Sequence, residues 1–318
     1  MISLEVTEQH LNLKGKHFLT LADLSPESIK GLLAKALKMK KSFTLGEETN
    51  VLKGNILGMI FEKPSTRTRA SFEAGMLQLG GHALYLNSND LQLGRGESIA
   101  DTAKVLSQYV DAIMIRTFSH QTLEELSAHA SVPVINGLTN LYHPCQALAD
   151  LLTIYEKKGG WAGQKLCYIG DGNNVAHSLM IASAKTGMDI TVACPRGYEP
   201  DPAIIKLAEG FSKASGSKVA ISNHPIEAVE NADIIYTDVW TSMGQEEENE
   251  KRLREFSGFQ VNEHLVQYGK SDFVFLHCLP AHRGVEVEGA VIDGPHSAIF
   301  QQAGNRLHVQ KALLSEIL

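Results

Sequence analysis

The 318-residue sequence has no run near the roughly 18 to 20 uninterrupted apolar residues that a membrane-spanning helix needs. Its first residues, MISLEVTEQH, lack the basic and apolar zones of a signal peptide, so a cytoplasmic protein with no membrane partner is expected. Excess positive charge is also missing. A formal net charge of −7 argues against nucleic acid as a partner, because phosphate backbones select basic surfaces, and any bound anion must be met locally. Cysteine is scarce: Cys145, Cys167, Cys194 and Cys278 form no CxxC or other metal spacing, and a reducing compartment would keep them as thiols. No metal or organic cofactor is expected. The phosphate loop GxxxxGK[ST] is absent, and so is a complete dinucleotide fingerprint. Gly170-Asp171-Gly172-Asn173-Asn174 begins like G-x-G-x-x-G, but its sixth position is Val175, and the following strand closes on Val192-Ala193-Cys194-Pro195 with no acidic residue.

What is present is an ordinary globular balance, 43% hydrophobic and 20% charged, over a length that exceeds one typical core. Strand and helix patterns alternate along nearly the whole chain. The fold class expected is α/β, with two domains, each a parallel sheet flanked by helices, and the active site in the cleft between them. The first domain is expected over 1–150, with a C-terminal helix of about 303–318 packing back on it. The second is expected over 151–302, with a hinge near the helix end at Gly159-Gly160. Ser25-Pro26 opens an amphipathic helix. Strands are expected at 56–61, 83–86, 112–116, 132–135, 165–169, 189–193, 218–222, 233–237 and 273–277. The polar stretch from Ser242 to Arg254 carries no strand signal and is a candidate lid.

Polar residues gather where these strands end. Ser65-Thr66-Arg67-Thr68-Arg69 follows a buried strand and opens a helix, so free N–H groups, hydroxyls and guanidiniums converge on a place for an anion. The plain alternative is a capping serine with solvated arginines. His143-Pro144-Cys145-Gln146 opens another helix: the imidazole could donate to a carbonyl oxygen, and the Gln amide could recognise an NH₂ group, or His143 could merely cap. Arg116, at a strand end, is equally ambiguous. Asp238 to Gly244 offers a carboxylate and a hydroxyl suited to an ammonium. In His277-Cys278-Leu279-Pro280 the thiol could be a nucleophile, a proton carrier or buried sulfur.

Taken together and in order, STRTR, HPCQ, DGNN, DVWTSMG and HCLP resemble the ornithine carbamoyltransferase family across essentially the whole chain. STRTR and HPxQ belong to the wider carbamoyltransferase superfamily, whereas SMG and HCLP point to the ornithine branch. The resemblance implies transfer of a carbamoyl group from carbamoyl phosphate to L-ornithine. It implies that Ser65, Thr66, Arg67 and Thr68 hold the phosphate, that Arg116 and Arg306 add charge, and that Thr68, Arg116 and His143 polarise the carbonyl. Gln146 and the main chain at Cys278 and Leu279 would receive the NH₂ group, and the Leu279-Pro280 bond would be cis. Gln92 would reach into a neighbouring subunit of a homotrimer or a multiple of trimers. Asn174, Asp238, Ser242 and Met243 would bind ornithine, with Asp238 and Cys278 placed to influence loss of the amine proton.

Overall fold

The computed structural model describes residues 11–92, 95–242, 244 and 246–318. They form two compact units: one runs through Leu152 and takes in Gly304–Leu318, the other is Thr153–Ala303.

In the first unit the order is α1 (Pro26–Thr44), β1 (Ile56–Phe61), α2 (Thr66–Gln78), β2 (His82–Asn87), α3 (Ile99–Leu106), β3 (Ala112–Arg116), α4 (His120–His129), β4 (Val134–Leu138) and the start of α5 (Pro144–Lys158). The four strands are parallel, in the order β2-β1-β3-β4. β1 and β3 read ILGMIF and AIMIR because a parallel strand covered on both faces has no solvent side on which to place polar residues. Ile60, Ile113, Ile115 and Val134 meet Leu123 and Leu126 of α4 in one apolar cluster. β4 starts after Pro133, two residues later than its apolar pattern suggests, because proline offers no N–H to the ladder. It continues through Asn136 and Gly137. A Cβ on Gly137 would lie 2.4 Å from Met114 Sδ, so the glycine allows β3 to approach.

The second unit continues with β5 (Lys165–Ile169), α6 (Asn174–Thr186), β6 (Asp189–Ala193), α7 (Pro202–Ser215), β7 (Val219–Ser222), α8 (Pro225–Val229) and β8 (Ile234–Thr237). After these come α9 (Asn249–Glu255), α10 (Glu263–Val266), β9 (Val274–His277), α11 (Gly289–Ile292) and α12 (Ile299–Ile317), whose later turns belong to the first unit. The sheet is again parallel, in the order β7-β6-β5-β8-β9. The candidate lid is therefore half helical, since α9 occupies its second part. Cys145, Cys167 and Cys194 are buried, and burial pushes each thiol up to about 12, so they remain inert core sulfur.

In both sheets the strand order reverses once, between β1 and β3 and between β5 and β8. Open parallel sheets bind ligands beyond the carboxyl ends of their strands at that reversal. Residues 62–69, with Arg116, lie at the first; 170–174 and 238–242 lie at the second.

The turn after β5 is held tightly. Gly172 N–H donates to the Tyr198 carbonyl at 2.9 Å, and a Cβ on Gly172 would lie 2.2 Å from Pro200 N. Gly172→Ala is expected to cost about 1–3 kcal/mol, as overpacking against backbone does. Gly210→Ala, in open space on α7, is expected to stabilise by about 0.4–1 kcal/mol. Denaturant unfolding of both variants checks the pair.

Candidate functional site

In the first unit, Ser65 is the N-cap of α2, its hydroxyl accepting from Thr68 N–H at 3.1 Å. Thr68 is fully buried, and its hydroxyl accepts from Arg306 Nη2 at 2.9 Å, so a residue near the carboxyl terminus is fastened to the first turn of α2. Arg116 is buried at the end of β3, and Arg67 is half-buried. Arg69 is turned away: it pairs with Glu73 at 2.9 Å and its guanidinium lies 3.8 Å from the centre of the Tyr85 ring.

His143, immediately before α5, is buried. Burial, and then the positive charges of Arg306, Arg116 and Arg67, hold its imidazole well below the ordinary value, so at neutral pH it is an uncharged donor-acceptor. Gln146, one turn on, donates from Nε2 to Asp150 at 2.8 Å, while its Oε1 meets no donor among the described residues. That bond fixes the amide with its acceptor available, which suits an NH₂ group. The first half-site thus combines a helix amino terminus, three guanidiniums, a neutral imidazole and an amide oxygen. It can bind a doubly charged phosphate and polarise a carbonyl joined to it. Gln92 differs from these residues, being exposed in the turn beyond edge strand β2.

In the second unit, Asp238 follows β8 and is buried. Its Oδ1 accepts from the Cys278 thiol at 2.9 Å and from Val239 N–H at 2.8 Å; its Oδ2 accepts from Asn173 Nδ2 at 2.9 Å. An ionised carboxylate has about four acceptor positions, so one is left for a ligand. Asn173, rather than its expected neighbour Asn174, is the side chain that holds the Asp238 carboxylate. Its Oδ1 caps α6, accepting from Val175 and Ala176 N–H, and also accepts from the Tyr168 hydroxyl. A capping asparagine in a DGNN turn is visible in sequence, but its second bond, to a residue 65 positions away, is not.

Asn174 is the first residue of α6, and Ser242 is half-buried after β8. Met243 lies outside the described residues. The Leu279-Pro280 bond is cis, and Leu279 has φ of 59°. Its N–H donates to His277 Nδ1 at 2.9 Å, and the other ring nitrogen of His277 is 3.2 Å from buried Glu286. Asp238, His277 and Cys278 bring their ligand atoms within 4.8 Å of one another. Both ring nitrogens of His277 already serve Leu279 and Glu286, so a metal there would have to displace those bonds.

Two family models cover the chain. Residues 16–156 match the carbamoyl-P binding domain of aspartate/ornithine carbamoyltransferase, and residues 162–317 match its Asp/Orn binding domain. The chain belongs to the aspartate/ornithine carbamoyltransferase family. An ornithine carbamoyltransferase of Anoxybacillus flavithermus is 63% identical over 308 residues, covering 97% of this chain and 98% of the relative. One from Bacillus subtilis is 60% identical over 312 residues, covering 98% and 97%. Among solved structures, the ornithine carbamoyltransferase from Pyrococcus furiosus aligns with a TM-score of 0.94 at 56% identity, over 96% of this chain and 98% of that one. In this family's terms, the Thr68, Arg306 and His143 cluster falls within the carbamoyl-P model except for Arg306, which the chain returns to it through α12.

The state of His143 has a consequence for stability in the substrate-free protein. Its folded pKa is depressed below the ordinary 6.5, so its contribution is present above about pH 6.5 and is lost as pH falls toward the folded value. His143→Gln, which cannot titrate, is expected to flatten the decline of unfolding free energy below pH 6.5, measured by urea titrations at successive pH values.

Proposed function

We propose that the chain transfers the carbamoyl group of carbamoyl phosphate to the δ-amine of L-ornithine, giving L-citrulline and phosphate, as a cytoplasmic enzyme built as a homotrimer or a multiple of trimers. The observation that carries the reading is a neutral His143 set among Arg67, Arg116 and Arg306. The guanidiniums answer the phosphate charge, which leaves the imidazole to donate to the carbonyl oxygen as negative charge develops there. Ser65, Thr66 and Thr68 add hydroxyl and N–H donors to the phosphate. Gln146 Oε1 accepts from the carbamoyl NH₂, with the carbonyls of Cys278 and Leu279 as its other acceptors, since Leu279 N–H is committed to His277.

Ornithine's ammonium takes the remaining acceptor position of Asp238, and Asn174, Ser242 and Met243 complete its binding. The neutral δ-amine attacks the carbonyl carbon, the tetrahedral oxyanion collapses, and phosphate leaves with the C–O bond electrons and accepts the amine proton. An alkyl amine of pKa about 10.4 is neutral in fewer than about one molecule in a thousand at pH 7, so a site that favours the neutral form raises the reactive fraction. Cys278 acts here as a thiol donor that orients Asp238, and no acyl-sulfur step is required. Gln92, exposed beyond the edge strand, is assigned to the site of a neighbouring subunit. A carbamoyltransferase for aspartate is disfavoured, because a second carboxylate would meet Asp238 instead of a cation.

Citrulline formation with a panel of ornithine, putrescine, acetylornithine and aspartate tests the assignment, and no turnover with ornithine would overturn it. Arg67→Ala is expected to weaken carbamoyl phosphate binding severely by calorimetry, since guanidinium-phosphate bonds are among the stronger polar contacts.

Asp238→Asn is expected to lower kcat/KM for ornithine about ten- to hundredfold while carbamoyl phosphate affinity stays near normal. It also sets an NH₂ group against Asn173 Nδ2 or Val239 N–H, so some loss of melting temperature accompanies it. A less stable variant with unaltered kinetics would remove Asp238 from the ornithine site.

A further inference from the structure

Arg252 of α9 is only 5% exposed, a rare state for arginine, and two of its bonds reach the loops of the second unit that carry proposed ornithine residues. Its Nη1 donates to the Trp240 carbonyl at 2.8 Å and lies 3.1 Å from Asp171 Oδ2. Its Nε donates to Glu248 at 2.9 Å. Its guanidinium lies 4.9 Å from the centre of the Tyr198 ring, and Tyr198 in turn packs edge-on to Phe256, which stacks on Trp240. Trp240 stands two residues past Asp238, and Asp171 two residues before Asn173, which holds the Asp238 carboxylate. One guanidinium therefore ties the loop after β8 to the loop after β5, at the reversal point of the sheet. Asp171 is itself mostly buried; burial pushes its carboxyl up, and Arg252 opposes that shift.

We propose that Arg252 is a positioning residue for the amine substrate: its planar fork clamps these two loops together and sets the spacing at which Asp238, Asn174 and Ser242 are presented. The proposal rests on reading the second unit as the ornithine-binding one. A buried ion pair contributes little stability beyond what a well-packed apolar pair would give, so stability alone is a weak reason for one here. Geometry is a better reason. The guanidinium directs several N–H groups in fixed planar directions, and here they reach a carbonyl and two carboxylates at once; an ammonium is a compact charge on a flexible stem and cannot hold the same three acceptors in one plane. The contacts of Arg252 are with Trp240, Asp171, Glu248 and Tyr198, so its effect on the site passes through the loops.

Arg252→Lys keeps the charge and removes the fork. It is expected to raise KM for ornithine about tenfold or more, with carbamoyl phosphate affinity within about twofold of wild type and kcat at saturating ornithine largely kept. Arg252→Gln leaves Asp171 as an uncompensated buried carboxylate and is expected to lose melting temperature as well. Adding Asp171→Asn removes that charge. The double variant is expected to regain melting temperature while KM for ornithine stays raised, an outcome that a merely structural ion pair does not give. An Arg252→Lys enzyme with wild-type KM, a double variant whose KM recovers along with its stability, or an equal loss of carbamoyl phosphate affinity would each overturn the proposal. Wild-type citrulline formation, measured in the same assay, tests the ornithine reading separately. Should another amine prove to be the substrate, the same variants are assayed with that amine and the same outcomes decide.

Discussion

A strand buried on both faces has room for polar chemistry only where it ends, and both sheets of this protein follow from that constraint. β1, β3, β5 and β8 are mostly apolar, β3 closes on Arg116, and the others give way to Lys63-Pro64-Ser65, the Gly170 to Asn173 turn and Asp238. At those ends, backbone groups released from the ladder and helices starting afresh provide directional donors. The strand order, reversing once in each sheet, opens a crevice between the two loops on either side of the reversal. The chemistry is confined to those places because nowhere else in a doubly covered sheet can a charge be hydrated, paired or offered to a ligand.

The two half-sites solve opposite electrostatic problems. The first concentrates positive charge around an uncharged histidine, so the guanidiniums lower the affinity of the imidazole for a proton while attracting an anion. The second buries a carboxylate and satisfies it almost completely with neutral donors: a thiol, an amide and a backbone N–H. The burial of Asp238 does not demand a cation, since three hydrogen bonds already offset the lost hydration. What remains is one acceptor position held in a fixed direction.

The same logic extends outward. Asn173 caps α6 and anchors Asp238, Tyr168 supports Asn173, and Gly172 lets the turn press against Tyr198 and Pro200. Arg252 then ties that turn to the loop after β8. Each of these residues holds local structure and the surroundings of Asp238 at once, so a change at any of them alters both. Only paired measurements separate the two.

The sequence by itself determined the parallel α/β class, the sites of most strands and the five polar motifs, because the period of apolar residues and the chemistry of strand ends are local properties. It offered Ser65 as a cap only as the plain alternative to an anion site, and Leu279-Pro280 as cis from family resemblance; the structure shows the cap and the cis bond. It did not resolve α4 or α7, which are helical over His120–His129 and Pro202–Ser215 behind Ser119 and Asp201 caps, although Ile204, Leu207, Ala208 and Phe211 stand at helical spacing in α7 and Asp201-Pro202 marks its start. It set the start of β4 two residues early, at Val132, whereas Pro133 contributes only its carbonyl, which accepts from Ile113 N–H at 2.9 Å. Tertiary structure alone decided which motifs touch. Arg306 reaches Thr68 across 238 positions, Asn173 reaches Asp238 across 65, and Cys278 meets Asp238 across 40. Such pairings depend on strand order, and strand order is fixed by packing between distant segments, which no local pattern of residues encodes.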